Sequence, residues 1–398
     1  MAKALRNIHT LTDITGSTLT LRALWMLRLV VGLGIVLGGA ISLIGTSWDI
    51  QWHTFVGRDR TLIPPHLMML TGVTLAGLLA LTSVVLETIW VRRNSQLARY
   101  STDFSGLFYS STGSYLAGFA ALAAAIAFPL DSYWHALYGI DVSIWAPFHI
   151  MILTGMAIMP LGAAYLLVSS ARLAAIDDTQ WAVRTARIGT IFALGAAMGI
   201  FTLMLSDALE GGNSIQIGSG FINFFPLLAS MVAAFTFVAA KYALPYRAAA
   251  TYVMLTYILF ALLFSVFVPS ATSTLVTSEG LTYRRELYEF AYLSIVAVRF
   301  WPLLPIIIAP LIDVVFAWAK RRNWSTLPLM LSLSLLATLS FWPVFVLEPA
   351  LGLKYVADLG ALGSILSLLL ALVGSYVATL LGRYSGTAMK QEESLAYA

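Results

Sequence analysis

The sequence predicts an all-α fold, a polytopic integral membrane bundle of about ten transmembrane helices. Of its 398 residues, 59% are hydrophobic and only 11% are charged, whereas a soluble globular domain carries about 25% charged residues. Apolar runs also recur along the chain at the length of roughly 20 residues that a helix needs to cross a bilayer. A lipid bilayer is therefore the first partner that we predict.

Ten apolar segments are candidate spans. They begin near residues 21, 64, 106, 147, 188, 221, 248, 294, 327 and 359. The eighth contains Pro302, Pro305 and Pro310, and we expect it to be kinked because proline removes a helical hydrogen bond. The predicted divisions are an N-terminal segment 1–20, two helical hairpins 21–92 and 106–171, a six-helix region 188–382 and a tail 383–398.

Basic residues mark one set of connecting segments. Arginines and lysines concentrate at both termini and at every second connection, for example at Arg92 and Arg93, whereas the other connections carry more acids, for example Asp49 and Asp131. The positive-inside rule places the basic set in the cytoplasm. We therefore predict cytoplasmic N- and C-termini, residence in the plasma (inner) membrane, and an outer face that carries those two aspartates.

Residues 274–290 depart from this alternation. Arg284 and Arg285 stand there beside three glutamates, in a segment that the helix count places outside. We interpret this segment as a short surface helix on the outer face.

Several classes of function are excluded by composition. The chain has no cysteine, which excludes disulfides, thiolate zinc sites and iron–sulfur clusters. The net charge of +4 is small and lies in short loops, so it suits an anionic lipid surface and not nucleic acid.

A polar stretch, WDIQWHTFVGRDRTLIPPH, interrupts the apolar pattern at residues 48–66. Asp49 and His53 are four residues apart, so on a helix they lie one turn apart on the same face. A glycine and two prolines then break the chain before His66, and proline suits the first turn of a new helix. We therefore expect His66 to open an antiparallel helix and to face the first two side chains.

A second stretch repeats this pattern. DIQWHTFVGRDRTLI-PPHLMMLTG, residues 49–72, aligns with DSYWHALYGIDVSIWAPFHIMILTG, residues 131–155, with one inserted residue. The matched pairs include Asp49/Asp131, Trp52/Trp134, His53/His135, Gly57/Gly139, Asp59/Asp141, Pro64/Pro147 and His66/His149. Four of the five histidines of the chain lie in these two stretches. We interpret helices 1–2 and 3–4 as a parallel internal repeat, as some membrane folds show.

Each repeat offers two imidazoles and one carboxylate. The predicted ligand sets are Asp49, His53 and His66 in the first repeat and Asp131, His135 and His149 in the second. Such a set leaves open positions on a divalent transition metal and suits copper, iron or zinc. We therefore predict two metal sites, with catalytic residues left unassigned.

Other residues of the repeats are candidates to support these sites. Asp59 and Asp141 are interpreted as ligands, as hydrogen-bond partners of an imidazole, or as ion-pair partners in the loop, where Arg58 precedes Asp59. Trp52 and Trp134 are candidates to flank the sites.

Three alternatives to a metal site stay open. The same side chains would suit a structural hydrogen-bond network. Two imidazoles on facing helices, His53 with His66 or with His149, would suit a bis-histidine haem b in an electron carrier. Asp49 and Asp131 would also suit a proton or ion pathway through the membrane.

The motif resembles the site in the copper-site subunit of the copper membrane monooxygenases, which comprise the particulate methane, ammonia and short-alkane monooxygenases. The shared pattern is D-x3-H, then an arginine–aspartate pair, then a proline just before a second histidine. The matching residues are Asp49, Trp52, His53, Arg58, Asp59, Pro64 and His66. That subunit also has a second site with the spacing of Asp131, His135 and His149, although it begins there with asparagine. The resemblance covers about residues 45–160.

This resemblance implies a copper-dependent membrane monooxygenase, or a subunit of one. It implies copper at both ligand sets, O2 and a small apolar substrate or ammonia as reactants, and other monooxygenase subunits or an oligomer as partners. The chain is longer than that subunit, and its last six predicted helices have no counterpart in the resemblance. A copper-binding or metal-transport membrane protein without oxygenase activity is the alternative function that the same ligands would serve.

Overall fold

The structure is a computed structural model that describes residues 2–57, 62–139, 144–204, 214–218, 220–284, 303–339 and 360–391, with only the backbone described for residues 2–20, 214, 220, 303 and 304. Within these ranges the chain folds as an all-α bundle with two short β-hairpins. The predicted fold class is therefore observed at the level of a helical bundle.

The first four helices form two antiparallel pairs. They are α1 (Ala2–Phe55), α2 (Pro64–Arg93), α3 (Thr112–Tyr138) and α4 (Pro147–Ile176). In the first pair the backbone of Gly38 contacts that of Gly72, and the backbone of α1 also approaches α4, where Gly39 meets Pro160. The connections that carry the two polar motifs consequently lie at the same end of the bundle.

Six further helices follow. They are α5 (Gln180–Leu203), α6 (Phe225–Ala243), α7 (Ala249–Ser278), α8 (Leu303–Arg321), α9 (Thr326–Leu339) and α10 (Gly360–Gln391). Gly189 of α5 lies against Leu33 and Leu167, and Gly195 of α5 lies against Thr256. Helix α5 therefore packs between the α1/α4 pair and α7.

The predicted start of the third helix near residue 106 is wrong. A 3-10 turn (Ser95–Tyr100) and an antiparallel hairpin, β1 (Thr102–Phe104) with β2 (Phe108–Ser110), stand there instead. Gly106 has a φ of +68° at the hairpin turn, a conformation that glycine adopts without steric cost, and its N–H donates to Asp103. The helix begins at Thr112, after Ser111 has capped it by accepting from the N–H of Gly113.

Two other helices begin at residues that differ from the predicted ones. The fifth helix begins at Gln180, not near 188, and the sixth begins at Phe225, after a second hairpin of β3 (Ser214–Ile217) and β4 (Gly220–Asn223). The proposed surface helix is also not seen in its described part, because α7 ends at Ser278 and residues 281–284 are not helical.

Eight helices of the described chain, all except α8 and α9, are long and apolar enough to cross a membrane. Large apolar side chains cover their outer surfaces, for example Leu78 at 60% and Val266 at 72% exposure. An apolar exterior of this extent suits a lipid solvent. The architecture is compatible with a polytopic membrane protein.

A buried ion pair joins three of the first four helices. The guanidinium of Arg28 in α1 donates to both carboxylate oxygens of Glu87 in α2, over 3.0 and 2.8 Å, and to Ser169 in α4. Both charged side chains are fully buried, and a bidentate geometry with further hydrogen bonds offsets the desolvation that burial costs. Arg28 precedes Asp49 by 21 residues, or about 31 Å along α1, so this pair lies far from the polar motifs.

Candidate metal centres

The ends of four helices bring the predicted ligands together. Asp49 and His53 stand in the last two turns of α1, and His66 stands in the first turn of α2. The prolines at residues 64 and 65 open α2, since proline fits a first helical turn whose N–H groups have no intrahelical partner. The second motif is built in the same way at the end of α3 and the start of α4, which Pro147 opens.

In the first site one carboxylate oxygen meets both imidazoles. Oδ1 of Asp49 lies 3.5 Å from Nε2 of His53 and 3.0 Å from Nε2 of His66. The two imidazole rings are 6.0 Å apart between centroids. The three side chains are 16–18% exposed, so the site lies just beneath the surface at this end of the bundle.

The second site has nearly the same dimensions. Oδ2 of Asp131 lies 3.3 Å from Nε2 of His135, and Oδ1 lies 3.3 Å from Nε2 of His149. The rings are 5.6 Å apart between centroids. His149 is the most exposed of the six proposed ligands, at 24%.

These distances fit a bound transition metal. Metal–ligand bonds of about 2.0–2.2 Å, with angles between about 90° and 110° at the metal, separate two ligand atoms by roughly 3.0–3.5 Å. The carboxylate–imidazole separations are 3.0–3.5 Å, and the three donor atoms of each set lie within 4.8 Å of one another. The six residues named above are therefore able to hold two metal ions.

The tautomer of His135 gives a second test of this fit. Its Nδ1 lies 3.1 Å from the carbonyl oxygen of Gly139, and a carbonyl oxygen only accepts, so Nδ1 carries the hydrogen. On a neutral ring Nε2 then presents a lone pair toward the carboxylate of Asp131. Two lone pairs that face each other attract a cation between them, either a proton or a metal ion, and an imidazole that ligates a metal commonly donates its other ring N–H to a backbone carbonyl.

Two buried carboxylate oxygens also favour a bound metal ion. Among the residues that the structure describes, Oδ1 of Asp49 and Oδ1 of Asp131 are buried, and each lies 3.0–3.5 Å from an imidazole nitrogen. An ionised carboxylate oxygen that is removed from water needs a proton donor or a metal. A metal ion in each triad would satisfy it.

Close helix packing sets the spacing of the ligands. A Cβ built on Gly72 of α2 would lie 2.8 Å from the backbone nitrogen of Ser42 in α1, and a Cβ built on Gly155 of α4 would lie 2.6 Å from the carbonyl oxygen of Ala120 in α3. Each glycine follows its ligand histidine by six residues. The absence of a side chain therefore lets each helix pair approach closely enough for a short aspartate to reach across.

The two flanking tryptophans have different surroundings. Trp52 is 1% exposed and packs in a cluster with Val56, Ile63 and Val276. Trp134 is half-buried and packs on Tyr138 and Phe148 of its own helix pair, with ring centroids 4.4 and 5.9 Å apart. The two tryptophans are aligned in sequence, yet within the described residues only Trp52 is enclosed by another part of the chain.

Three predicted supporting residues lie outside the described part of the chain. They are Arg58, Asp59 and Asp141. Their roles stay predictions.

The contribution of α7 was missed from sequence. Thr272 of α7 donates to Oε1 of Gln51 over 2.9 Å, and Phe267 packs edge-on against Trp48 at 6.0 Å between centroids. Beyond α7, the backbone N–H of Arg284 donates to the carbonyl oxygen of Phe55 over 2.7 Å. The one signal for this contact was an arginine in a segment where the positive-inside rule does not expect one.

Comparison of the chain with known protein families, with curated proteins and with solved structures finds no match in any of the three. The resemblance to the copper monooxygenases is therefore carried by the motif residues alone.

Proposed function

We propose that the protein is a membrane metalloprotein that binds one copper ion in each Asp/His/His triad. The observation that carries this proposal is the convergence of one carboxylate and two imidazoles in each triad, whose three ligand atoms lie within 4.8 Å of one another. Imidazole nitrogen with carboxylate oxygen is a donor set that divalent copper, iron and zinc all accept. Copper is preferred because the first motif resembles a copper site in order and spacing.

We infer that α1–α2 and α3–α4 arose by duplication of one hairpin. Gly72 contacts positions 38 and 42 of α1, and Gly155 contacts positions 120 and 124 of α3. The alignment that pairs Asp49 with Asp131 also pairs 38 with 120 and 42 with 124. Equal packing at positions outside the aligned motif supports a common origin.

The proposed topology has ten spans, of which α8 and α9 are two, with both termini in the cytoplasm. Arg92 and Arg93 end α2, and Lys320 and Arg321 end α8, which supports a cytoplasmic position for those ends. The two triads lie at the opposite end of α2 and α4, and hence toward the outer face of the plasma membrane.

The proposed activity is hydroxylation of a small apolar substrate, or of ammonia, with O2, by this chain alone or with other subunits. Copper, when bound, would supply the redox chemistry with O2. Three protein ligands leave coordination positions open in each triad. Near the first site Trp52, Val56 and Ile63 form a buried apolar cluster, and the lipid-facing helix surfaces give an apolar substrate a route from the bilayer.

Metal analysis of purified protein tests the copper proposal. We expect two copper ions per wild-type chain, and one in each of the paired variants His53→Ala/His66→Ala and His135→Ala/His149→Ala. EPR spectra of the two variants should sum to the wild-type spectrum. Unchanged copper content in a paired variant would exclude the corresponding triad as a ligand set.

A second candidate is a copper-binding or copper-moving membrane protein without oxygenase activity. The exposure of His149, at 24%, favours it because an ion at that site would be able to exchange with the exterior. Oxygen uptake that depends on a hydrocarbon or on ammonia supports the oxygenase. Copper binding without such uptake supports the second candidate.

A haem held between His53 and His66 is disfavoured by the position of the carboxylate. An iron atom bound between His53 and His66 would carry its porphyrin through the space where Oδ1 of Asp49 lies, 3.0–3.5 Å from both rings. A Soret absorption band in the purified protein would overturn this conclusion.

A further inference from the structure

Equivalent turns of the two repeats have unequal surroundings. Gly57 and Gly139 both follow the ligand helix and both have a positive φ, +67° and +87°. The guanidinium of Arg284 lies directly against Gly57, where a Cβ would overlap it, whereas a Cβ on Gly139 would meet no atom of the described chain within 4 Å. One turn is covered and its equivalent is open.

The covering segment is anchored at several points along α1. Helix α7 runs parallel to α1, and Gln51–Thr272 and Trp48–Phe267 are the contacts that fix it there. The segment that follows then donates the backbone N–H of Arg284 to the carbonyl oxygen of Phe55. The last carbonyls of a helix have no partner within the helix, so this bond holds the final turn of α1 in place.

The charge of Arg284 acts in the same direction. The C-terminal end of a helix carries a partial negative charge, which a cation in its last turn or just beyond it stabilises. The guanidinium lies beside Gly57, two residues past the end of α1. Opening the turn would therefore separate favourable charges as well as break the backbone bond.

The two turns also differ in the exposure of aligned side chains. Val56 is 3% exposed, whereas Tyr138, its counterpart in the alignment, is 71% exposed. His53 precedes Val56 by less than one helical turn, so the covered turn adjoins the first site, whose three side chains are 16–18% exposed. The second site has no equivalent cover within the described residues.

We propose that Arg284 is a positioning residue that holds the turn beside the first triad closed, so that the first site releases its metal more slowly than the second. The unequal exchange rests on the proposed metal function. The closed turn does not depend on metal binding, because it follows from contacts among Arg284, Gly57 and Phe55. The two sites then exchange metal at different rates.

Single cysteines test the closure without metal, since the chain has none of its own. Val56→Cys and Tyr138→Cys would each be labelled with a membrane-impermeant maleimide in the full chain. We expect slow labelling at residue 56 and fast labelling at residue 138. Arg284→Ala should speed the labelling at residue 56 on the order of tenfold, because a buried thiol reacts only through local opening, and should leave residue 138 unchanged.

Matched variants distinguish a specific effect on the closed turn from general destabilisation of the protein. Thr282→Ala alters an exposed residue of the same segment and should change neither rate. Gly57→Ala and Gly139→Ala both strain a positive φ, yet only the first displaces Arg284, so only the first should speed labelling at residue 56. If Val56→Cys does not fold, hydrogen exchange of the amides at 55–57 and 137–139 gives the same comparison.

Rates of copper release test the second part of the proposal, that the two sites exchange metal at different rates. A copper chelator would be added to copper-loaded His135→Ala/His149→Ala, which keeps the first site, and to His53→Ala/His66→Ala, which keeps the second. We expect slow release from the first site, rapid release from the second, and acceleration of the first alone by Arg284→Ala. Equal release rates, or equal labelling with and without Arg284, overturn the proposal. If wild-type protein binds no copper, the proposed function fails and the labelling result alone decides the role of Arg284.

Discussion

His135 donates from Nδ1 to the carbonyl oxygen of Gly139 over 3.1 Å, four residues along the chain. Gly139 has a φ of +87°, a region in which side chains are strained and glycine is not. The same turn that ends α3 therefore selects the tautomer of His135, one of the proposed ligands. Nε2 is left to face Asp131 at 3.3 Å, the orientation that the proposed metal ligation needs.

Removing the charge of Asp131 should empty the second site. Asp131→Asn keeps the size of the side chain and removes its negative charge, and we expect copper content to fall from two ions to one per chain. Asp49→Asn should do the same at the first site. Quantitative metal analysis after equilibrium dialysis measures the change, and two retained ions in either variant would contradict metal ligation by that carboxylate.

Adding a methyl group at Gly155 should disturb both packing and the second site. Its Cβ would stand 2.6 Å from a backbone oxygen and 2.9 Å from the Cβ of Ala124, and overpacking of this kind costs about 1–3 kcal/mol. We expect a lower unfolding temperature and weaker copper binding at the second triad. Gly118→Ala is the matched control, because its nearest contact would be an ordinary 3.5 Å to Ala80, and equal behaviour of the two variants would refute the packing role.

Breaking the Arg28–Glu87 pair should destabilise the bundle and spare the metal sites. Arg28→Met leaves Glu87 buried and unpaired, and removal of one partner of a buried pair costs about 3–5 kcal/mol. The double variant Arg28→Met/Glu87→Leu should recover part of this loss, because it leaves neither charge unpaired. Thermal unfolding in detergent measures the stability of each variant. Copper stoichiometry should remain two in any variant that folds, since the pair lies far along α1 from Asp49.

Stripping the metal should lower the stability of the wild-type protein. A ligand that binds only the folded state stabilises it by about 2.7 kcal/mol at one hundred times its dissociation constant. We therefore expect the unfolding temperature to drop on chelation and to recover when copper is returned. His53→Ala/His135→Ala, which removes one imidazole from each triad, should show a much smaller recovery, and a full recovery would place the copper elsewhere.

The helical class and the proximity of the ligands were accessible from local patterns. Asp49 and His53 are one helical turn apart wherever the helix lies, and prolines at residues 64 and 147 mark the start of the returning helices. A short connection between two antiparallel helices then places the histidine that follows opposite the aspartate. No contact distant in sequence is needed for either triad.

Boundaries that depend on a few polar residues were harder to predict. The hairpin around Gly106 replaces the first turns of a helix expected from apolar content alone. Asp103, Gly106 and Ser111 supply the turn and the cap, and such local hydrogen bonds compete with helix formation.

The sequence by itself determined a membrane-compatible helical bundle and two equivalent sets of Asp/His/His side chains, because helical periodicity and spacing act over a few residues. Only the tertiary structure decided that the two sets are unequal. Trp52 and Trp134 occupy matching positions, yet one is enclosed by α7 and the other is half-exposed. Arg284 reaches Gly57 across more than two hundred residues of chain. A contact of that range depends on how whole helices pack, and no pattern within one helical hairpin encodes it.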